Sequence, residues 1–348
     1  MKVGILTFHD GINHGAYMQA FSTYQFLLQS GYDVEIIHYK NKTHHRNELR
    51  VFLVTKNPMK LWQNFRKILS FKKDHIAMNL GRLVHDVKDI EERYDAVVIG
   101  SDIVWNFKWK FLGQDPIYFG NGFNKAKLIS YAPSFGNVTS DDEITSFVKE
   151  GIRKFSAISV RDVNSAIIVE KIIGMRPPLV LDPTFLIDSE PFEKATRKSI
   201  SSPYLLIYAY FLQPNEVESA IAFARKENLK IISVGYQNKW ADENIINLGP
   251  FEWLSYFKNA SYVLTSTFHG TIFSLKYHCN FATSLNDNIK NKTESLIKHL
   301  DLEQRFVANT DVSEVFSKQI NYDDIDARFA SLISESKKYL LDALESQS

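Results

Sequence analysis

Short apolar runs punctuate the chain: Val3 to Leu6, Ala96 to Ile99, Leu128 to Tyr131, Leu179 to Leu181, Tyr204 to Tyr208, Ile231 to Val234 and Tyr262 to Thr265. Runs of this length without polar alternation predict strands buried on both faces. Between them lie stretches of helical spacing. In Glu216 to Glu227, Val217, Ala220, Ile221 and Ala224 recur at i, i+3, i+4 and i+7, and Pro214 and Asn215 signal the start. Further helices are expected after Gly15, over Ser165 to Ile173, and in the tail from Asp323 to Leu344. No internal repeat or low-complexity segment breaks the rhythm.

Strands alternating with helices predict an α/β fold of parallel sheets covered on both faces, with ligands beyond the carboxyl ends of the strands. A chain of 348 residues exceeds the usual single core. The polar stretch from Asp188 to Pro203 marks a boundary. The expected organisation is two Rossmann-like lobes around a cleft. Residues 1–195 form the first lobe, with a basic helical insertion at about 40–85, residues 196–320 form the second, and 321–348 form a C-terminal helix.

Composition narrows the classes. With 45% hydrophobic residues, 23% charged residues and a formal net charge of +1, the chain is globular and carries no global field for nucleic acid. The one cysteine, Cys279, excludes an intramolecular disulfide and a cysteine-rich metal site, fits a reducing cytoplasm and reads as core. The histidines lack zinc-site spacing, so no metal is expected. The N-terminal apolar run lacks the longer core and cleavage site of a signal peptide. No stretch approaches the roughly 18 to 20 apolar residues of a membrane span. Lys40 to Lys73 is locally basic, with Lys42, Arg46, Arg50, Lys56, Lys60, Arg66, Lys67 and Lys72 among Phe52, Leu61, Trp62, Phe65, Leu69 and Phe71. It reads either as a solvated insertion packed on the first lobe or as a peripheral contact with an anionic membrane surface.

Candidate chemistry gathers at four strand ends. Thr7 to Gly15 joins a strand to a helix through small residues, where Asn13 and Gly15 either cradle an anion or shape the turn. Gly100 to Asn106 offers Ser101, Asp102 as base or hydroxyl-orienting group, and Trp105 as a face for a sugar ring; alternatively Ser101 or Asp102 caps a helix and Trp105 is core. Ser134 closes the neighbouring strand within Ser130 to Gly136. Arg161, in Ser159 to Asp162, can grip a carboxylate or phosphate in bidentate fashion, or be held in an ion pair by Asp162. Asp182 belongs either to the site or to a turn before Pro183. In Leu264 to Leu275, the hydroxyls of Ser266 and Thr267, the N–H of Gly270 and the imidazole of His269 converge where a helix begins; the alternative for His269 is a satisfied core residue.

In this order the segments Asn13 to Gly15, Gly100 to Asn106, Ser130 to Gly136, Ser159 to Asp162, Asp182 to Thr184 and Ser266 to Gly270 resemble the polysaccharide pyruvyl transferases, over most of the chain from Lys2 to about Leu300. The resemblance implies lobes similar to those of GT-B glycosyltransferases and phosphoenolpyruvate as donor substrate, with no further cofactor. It also implies a sugar acceptor, including lipid-linked oligosaccharide, which the basic stretch would suit if it holds a cytoplasmic chain at the inner face of the membrane. With that donor, His269 is expected as acid or phosphate ligand, Arg161 as clamp for its carboxylate or phosphate and Asp102 as base for the acceptor hydroxyl. One position departs: relatives often carry Arg two residues before the motif histidine, where this chain has Thr267. Two other functions fit the same architecture, a glycosyltransferase using a nucleotide sugar and a non-catalytic binding protein of polysaccharide assembly.

Overall fold

A computed structural model of the protein describes residues 1–90, 93–196, 200, 202–287, 289–307 and 311–346. Among them, the chain divides into two compact units. The first contains Met1–Val54, Ile76–Asp188 and Arg328–Ser348, and the second Thr55–His75 and Ser189–Ala327.

In chain order, the first unit is built from β1 (Lys2–Leu6), α1 (His14–Gln29), β2 (Asp33–Ile36) and α2 (Lys42–Leu53). After α3 (Pro58–Asp74), which belongs to the second unit, it continues with β3 (Ala96–Ile99), β4 (Lys127–Ser130), α4 (Ser146–Ile152), β5 (Ala157–Ile158) and α5 (Val163–Ile173). Its sheet is parallel throughout, in the order β2-β1-β3-β4-β5. Val97, Ile99 and Leu128 are buried with Trp105, Phe119 and Phe135 in one apolar cluster, which is why these strands read as unbroken apolar runs.

The second unit adds β6 (Tyr204–Tyr208), α6 (Pro214–Lys226), β7 (Lys230–Val234), β8 (Glu243–Ile245), α7 (Pro250–Lys258), β9 (Tyr262–Thr265), α8 (Phe268–Lys276), β10 (Asn280–Thr283), α9 (Lys290–His299) and α10 (Val312–Ser317). Its sheet, also parallel, runs β10-β9-β6-β7-β8. Helix α6 starts where Pro214 and a reciprocal Gln213–Glu216 capping box place it, and it buries Ala220, Phe223 and Ala224.

The structure departs from the sequence-based organisation in three places. Leu179 to Leu181 makes only an isolated bridge from Leu179 to Val160, because Pro177 and Pro178 before it and Pro183 after it supply no N–H groups, and the Leu181 N–H goes to Ser336 Oγ at 3.0 Å. Helix α3 belongs to the second unit, held there by contacts far apart in sequence, such as Lys67 Nζ donating to the Gly235 carbonyl at 3.0 Å. Helix α11 (Tyr322–Glu345) is not a separate element: its first residues belong to the second unit and those from Arg328 onward to the first, where Tyr339 donates to the Ser130 carbonyl at 3.2 Å. Arg197 to Ser199 and Ser201, part of the expected boundary, lie outside the described residues.

Candidate active site

In each unit the chain leaves the first strand in one direction along the sheet and later returns to build in the other. The first unit reverses between β1 and β3, the second between β6 and β9. Such switch points open a crevice at the strands' carboxyl ends, the usual ligand position in open α/β sheets. The sequence motifs lie at both.

In the first unit, a buried network ties the end of β1 to the end of β3. Thr7 Oγ1 donates to the Ser101 carbonyl at 3.2 Å, Gln19 Nε2 donates to Thr7 Oγ1 at 2.9 Å, and the Ser101 N–H donates to Gln19 Oε1 at 3.1 Å. Gly100 is obligatory here: its φ is 115°, and a Cβ would stand 2.4 Å from the Tyr131 carbonyl oxygen. Asp102 follows with a φ of 70°, a left-handed conformation that Asp tolerates better than most residues.

Arg161 reaches this turn from beyond β5. Its Nη2 lies 3.1 Å from Asp102 Oδ1, its Nη1 lies 2.7 Å from Asp182 Oδ2, and Nη1 also donates to Ser101 Oγ at 3.2 Å. The side chains of Arg161 and Asp182 are each 1% exposed. One guanidinium thus bridges two carboxylates. Arg161 is therefore built to orient Asp102 and Asp182. Asp162, the partner expected from sequence, instead caps α5, accepting the Ser165 N–H at 2.7 Å. Asp182 combines its two sequence readings, since its Oδ1 also accepts the Thr184 N–H and Oγ1 at 3.1 and 2.9 Å.

Trp105 does not present a face to a sugar. It is fully buried among Phe119, Phe135 and Phe155, with its indole N–H donated to the Tyr118 carbonyl at 2.8 Å. Asn13 caps α1 by accepting the Ala16 N–H at 3.1 Å, and Gly15 is buried in that helix's first turn. Ser134 Oγ accepts the Gly136 N–H at 3.0 Å and shapes a turn. Close by, Asp10 pairs with Lys40 at 3.4 Å. Burial raises the Asp10 pKa, but the charges of His9, Lys40 and His44 outweigh it and hold the carboxyl below its ordinary value. Burial pushes the His44 imidazole down, against the pull of Asp10 and Asp102.

In the second unit, Thr265 Oγ1 at the end of β9 donates to the Tyr208 carbonyl of β6 at 2.7 Å and accepts the Thr267 N–H at 3.1 Å. Thr267 Oγ1 caps α8, accepting the Gly270 N–H at 2.9 Å. A Cβ on Gly270 would lie 2.1 Å from Thr265 Oγ1, so only glycine fits under this cap. Thr267 therefore does a job that an arginine side chain, which has no acceptor, cannot do. His269 is buried in the first turn of α8, which carries no acidic residue. Ser266 Oγ is fully buried and has no hydrogen-bond partner among the described residues.

Two residues of these sites were not singled out as candidates by sequence. Gln19 is fully buried at the hub of the first network; a lone amide in the run Ala16 to Phe21 was the available signal. Lys292, in α9, is buried with its Nζ 5.4 Å from the Phe268 ring centre, which brings a cation to the start of α8. Nothing in its local sequence separates it from Lys290 and Lys298. Among the described residues, no group of three or more His, Cys, Asp or Glu is placed to hold a metal ion.

A model of the polysaccharide pyruvyl transferase family matches residues 13–288, from Asn13 through the Ser266 to Gly270 segment. The chain belongs to this family. Membership makes this pyruvyl transferase homologue a transferase of polysaccharide pyruvylation. No curated protein matches the chain. Among solved structures, the UDP-GlcNAc 2-epimerase from Neisseria meningitidis bound to UDP-GlcNAc is 10% identical, with a TM-score of 0.52 over 99% of each chain. An alpha-glucosyltransferase in complex with UDP is also 10% identical, with a TM-score of 0.52 over 99% of this chain and 95% of its own. At these identities the likeness is one of fold. The transferase shares the GT-B glycosyltransferase and 2-epimerase architecture of two parallel α/β sheets.

Proposed function

We propose that the protein transfers the enolpyruvyl unit of phosphoenolpyruvate to two hydroxyls of one sugar, in a polysaccharide or a lipid-linked oligosaccharide, and forms a pyruvate ketal. Within the family assignment, the observation that carries this donor is the start of α8. There a fully buried Ser266 hydroxyl without a partner among the described residues accompanies His269, Lys292 and the N-terminus of the helix. Donors and cations with no acidic residue in the first turn suit a phosphate or carboxylate.

In this reading His269, Ser266 and Lys292 bind the donor's anionic groups, and His269 protonates its methylene carbon. The resulting positive charge at the central carbon is attacked by one sugar hydroxyl, whose proton passes to solvent. The C–O bond to phosphate then breaks with its electron pair leaving on phosphate. The second hydroxyl adds to the same carbon, and its proton is released with inorganic phosphate. Arg161 and Asp182 hold Asp102 in orientation, and Ser101 ties the cluster to the turn.

A thermal-shift titration with phosphoenolpyruvate tests the donor, because a ligand bound by the native state raises the midpoint. The expected result is a rise that phosphate and pyruvate do not match and that Ser266→Ala and Lys292→Gln reduce. A rise with UDP-GlcNAc alone would favour a nucleotide-sugar transferase, the ligand class named for the structural neighbours.

A further inference from the structure

Helix α3 is amphipathic in the reverse sense for an element of a folded unit. At about 100° per residue, Asn64, Lys67, Phe71 and Asp74 share the buried face, while Leu61, Trp62, Phe65 and Leu69 share the opposite one. The inward polar groups are placed. Lys67 donates to the Gly235 carbonyl at 3.0 Å and Ser70 to the Asn247 carbonyl at 3.1 Å, while Asp74 pairs with Lys194 and accepts the Phe251 N–H at 3.3 Å. These contacts fix which side faces out. On it, Trp62 and Phe65 are 53% and 51% exposed, and Leu61 and Leu69 are exposed beside them. Scattered exposed apolar residues are ordinary, but a continuous stripe of large ones marks a binding surface.

Charge identifies the occupant. Arg66, Lys72 and Lys73 are exposed on the same outward side, and the Arg66 guanidinium lies 4.7 Å from the Trp62 ring centre. No acidic residue occurs between Glu48 and Asp74, although the chain as a whole carries only +1. Aromatic and aliphatic side chains flanked by cations match the interface of an anionic bilayer, where rings enter the acyl boundary and Lys and Arg reach the phosphates. Among the described residues no helix is long and apolar enough to cross a membrane, so contact through α3 is peripheral.

We propose that the outward face of α3 docks the protein on an anionic phospholipid bilayer, with Leu61, Trp62, Phe65 and Leu69 at the acyl boundary and Arg66, Lys72 and Lys73 on the headgroups. The inference is independent of which donor the enzyme uses.

The test is co-sedimentation of the full chain with vesicles of phosphatidylcholine, with and without phosphatidylglycerol. The expected result is binding to the anionic vesicles only, weakened on the order of a hundredfold by Arg66→Gln, Lys72→Gln and Lys73→Gln together. It should also be weakened by Trp62→Gln, Phe65→Gln and Leu69→Gln together. All six positions are exposed, and unchanged circular dichroism confirms the fold of each variant. Absence of binding to anionic vesicles, or binding that survives both sets of substitutions, would overturn the proposal. So would a dimer in solution that the apolar substitutions dissociate, which would assign the face to a second copy of the chain.

Discussion

Replacing Arg161 by Met keeps most of its volume and removes the cation shared by Asp102 and Asp182. Breaking a buried ion pair from one side typically costs about 3–5 kcal/mol, because the remaining charge stays desolvated. Asp182 Oδ1 retains its bonds from Thr184, Asp182 Oδ2 retains the Ser101 hydroxyl at 3.4 Å and Asp102 Oδ1 the Ile103 N–H at 2.9 Å, so the loss is chiefly that of the guanidinium. The lower end, about 3 kcal/mol, is therefore expected. For a unit of this size that corresponds to a fall of roughly 6–12 °C in its unfolding midpoint. Scanning calorimetry or urea unfolding reads it. Adding Asp182→Asn should recover part of the loss, since the double variant buries one charge fewer and an amide can keep the Thr184 contacts through its carbonyl. A loss below about 1 kcal/mol, or a double variant no better than Arg161→Met, would refute the view of Arg161 as counter-charge to a buried cluster.

His269→Ala should lower turnover by about 10²–10⁴-fold with the unfolding midpoint little changed, whereas near-normal turnover would remove His269 from the chemistry. Thr267→Ala deletes the α8 cap and should cost about 1 kcal/mol, read by urea denaturation; Thr267→Ser should restore most of it. Trp105→Ala should destabilise the first unit by about 3–5 kcal/mol, whereas Trp105→Phe should leave the acceptor KM unchanged, as the ring is fully buried core. Burial pushes the Cys279 thiol up to about 12. At pH 8 it is therefore protonated, and the native protein should resist a disulfide thiol reagent until unfolded; rapid reaction of the native chain would contradict this.

Much of the architecture was legible because buried parallel strands and helix starts leave local marks. Ala96 to Ile99 and Tyr204 to Tyr208 coincide with β3 and β6, and Pro214 opens α6. Motifs at strand ends were legible for the same reason, since a strand meeting a helix needs glycine and hydroxyl residues such as Gly100, Thr267 and Gly270. Partnership was not. The sequence offers the adjacent Asp162 as partner of Arg161, and only the sheet order brings Asp102, 59 positions away, to the guanidinium. Trp105 illustrates the same limit: an aromatic after a strand serves a ligand or the core according to what packs on it, here Phe119, Phe135 and Phe155. Lys67 and Lys292 escaped because burial of a lysine depends on distant chain.

The most direct test of pyruvyl transfer follows both products at once. Protein, carbon-labelled phosphoenolpyruvate and a panel of diol-bearing glycans would be incubated together, with label in acid-labile ketal and free phosphate measured in parallel. Pyruvyl transfer predicts equal amounts of ketal and phosphate, both sharply reduced in His269→Ala. Label absent from every glycan, while a nucleotide sugar transfers its sugar to the same panel and releases the nucleotide, would contradict it.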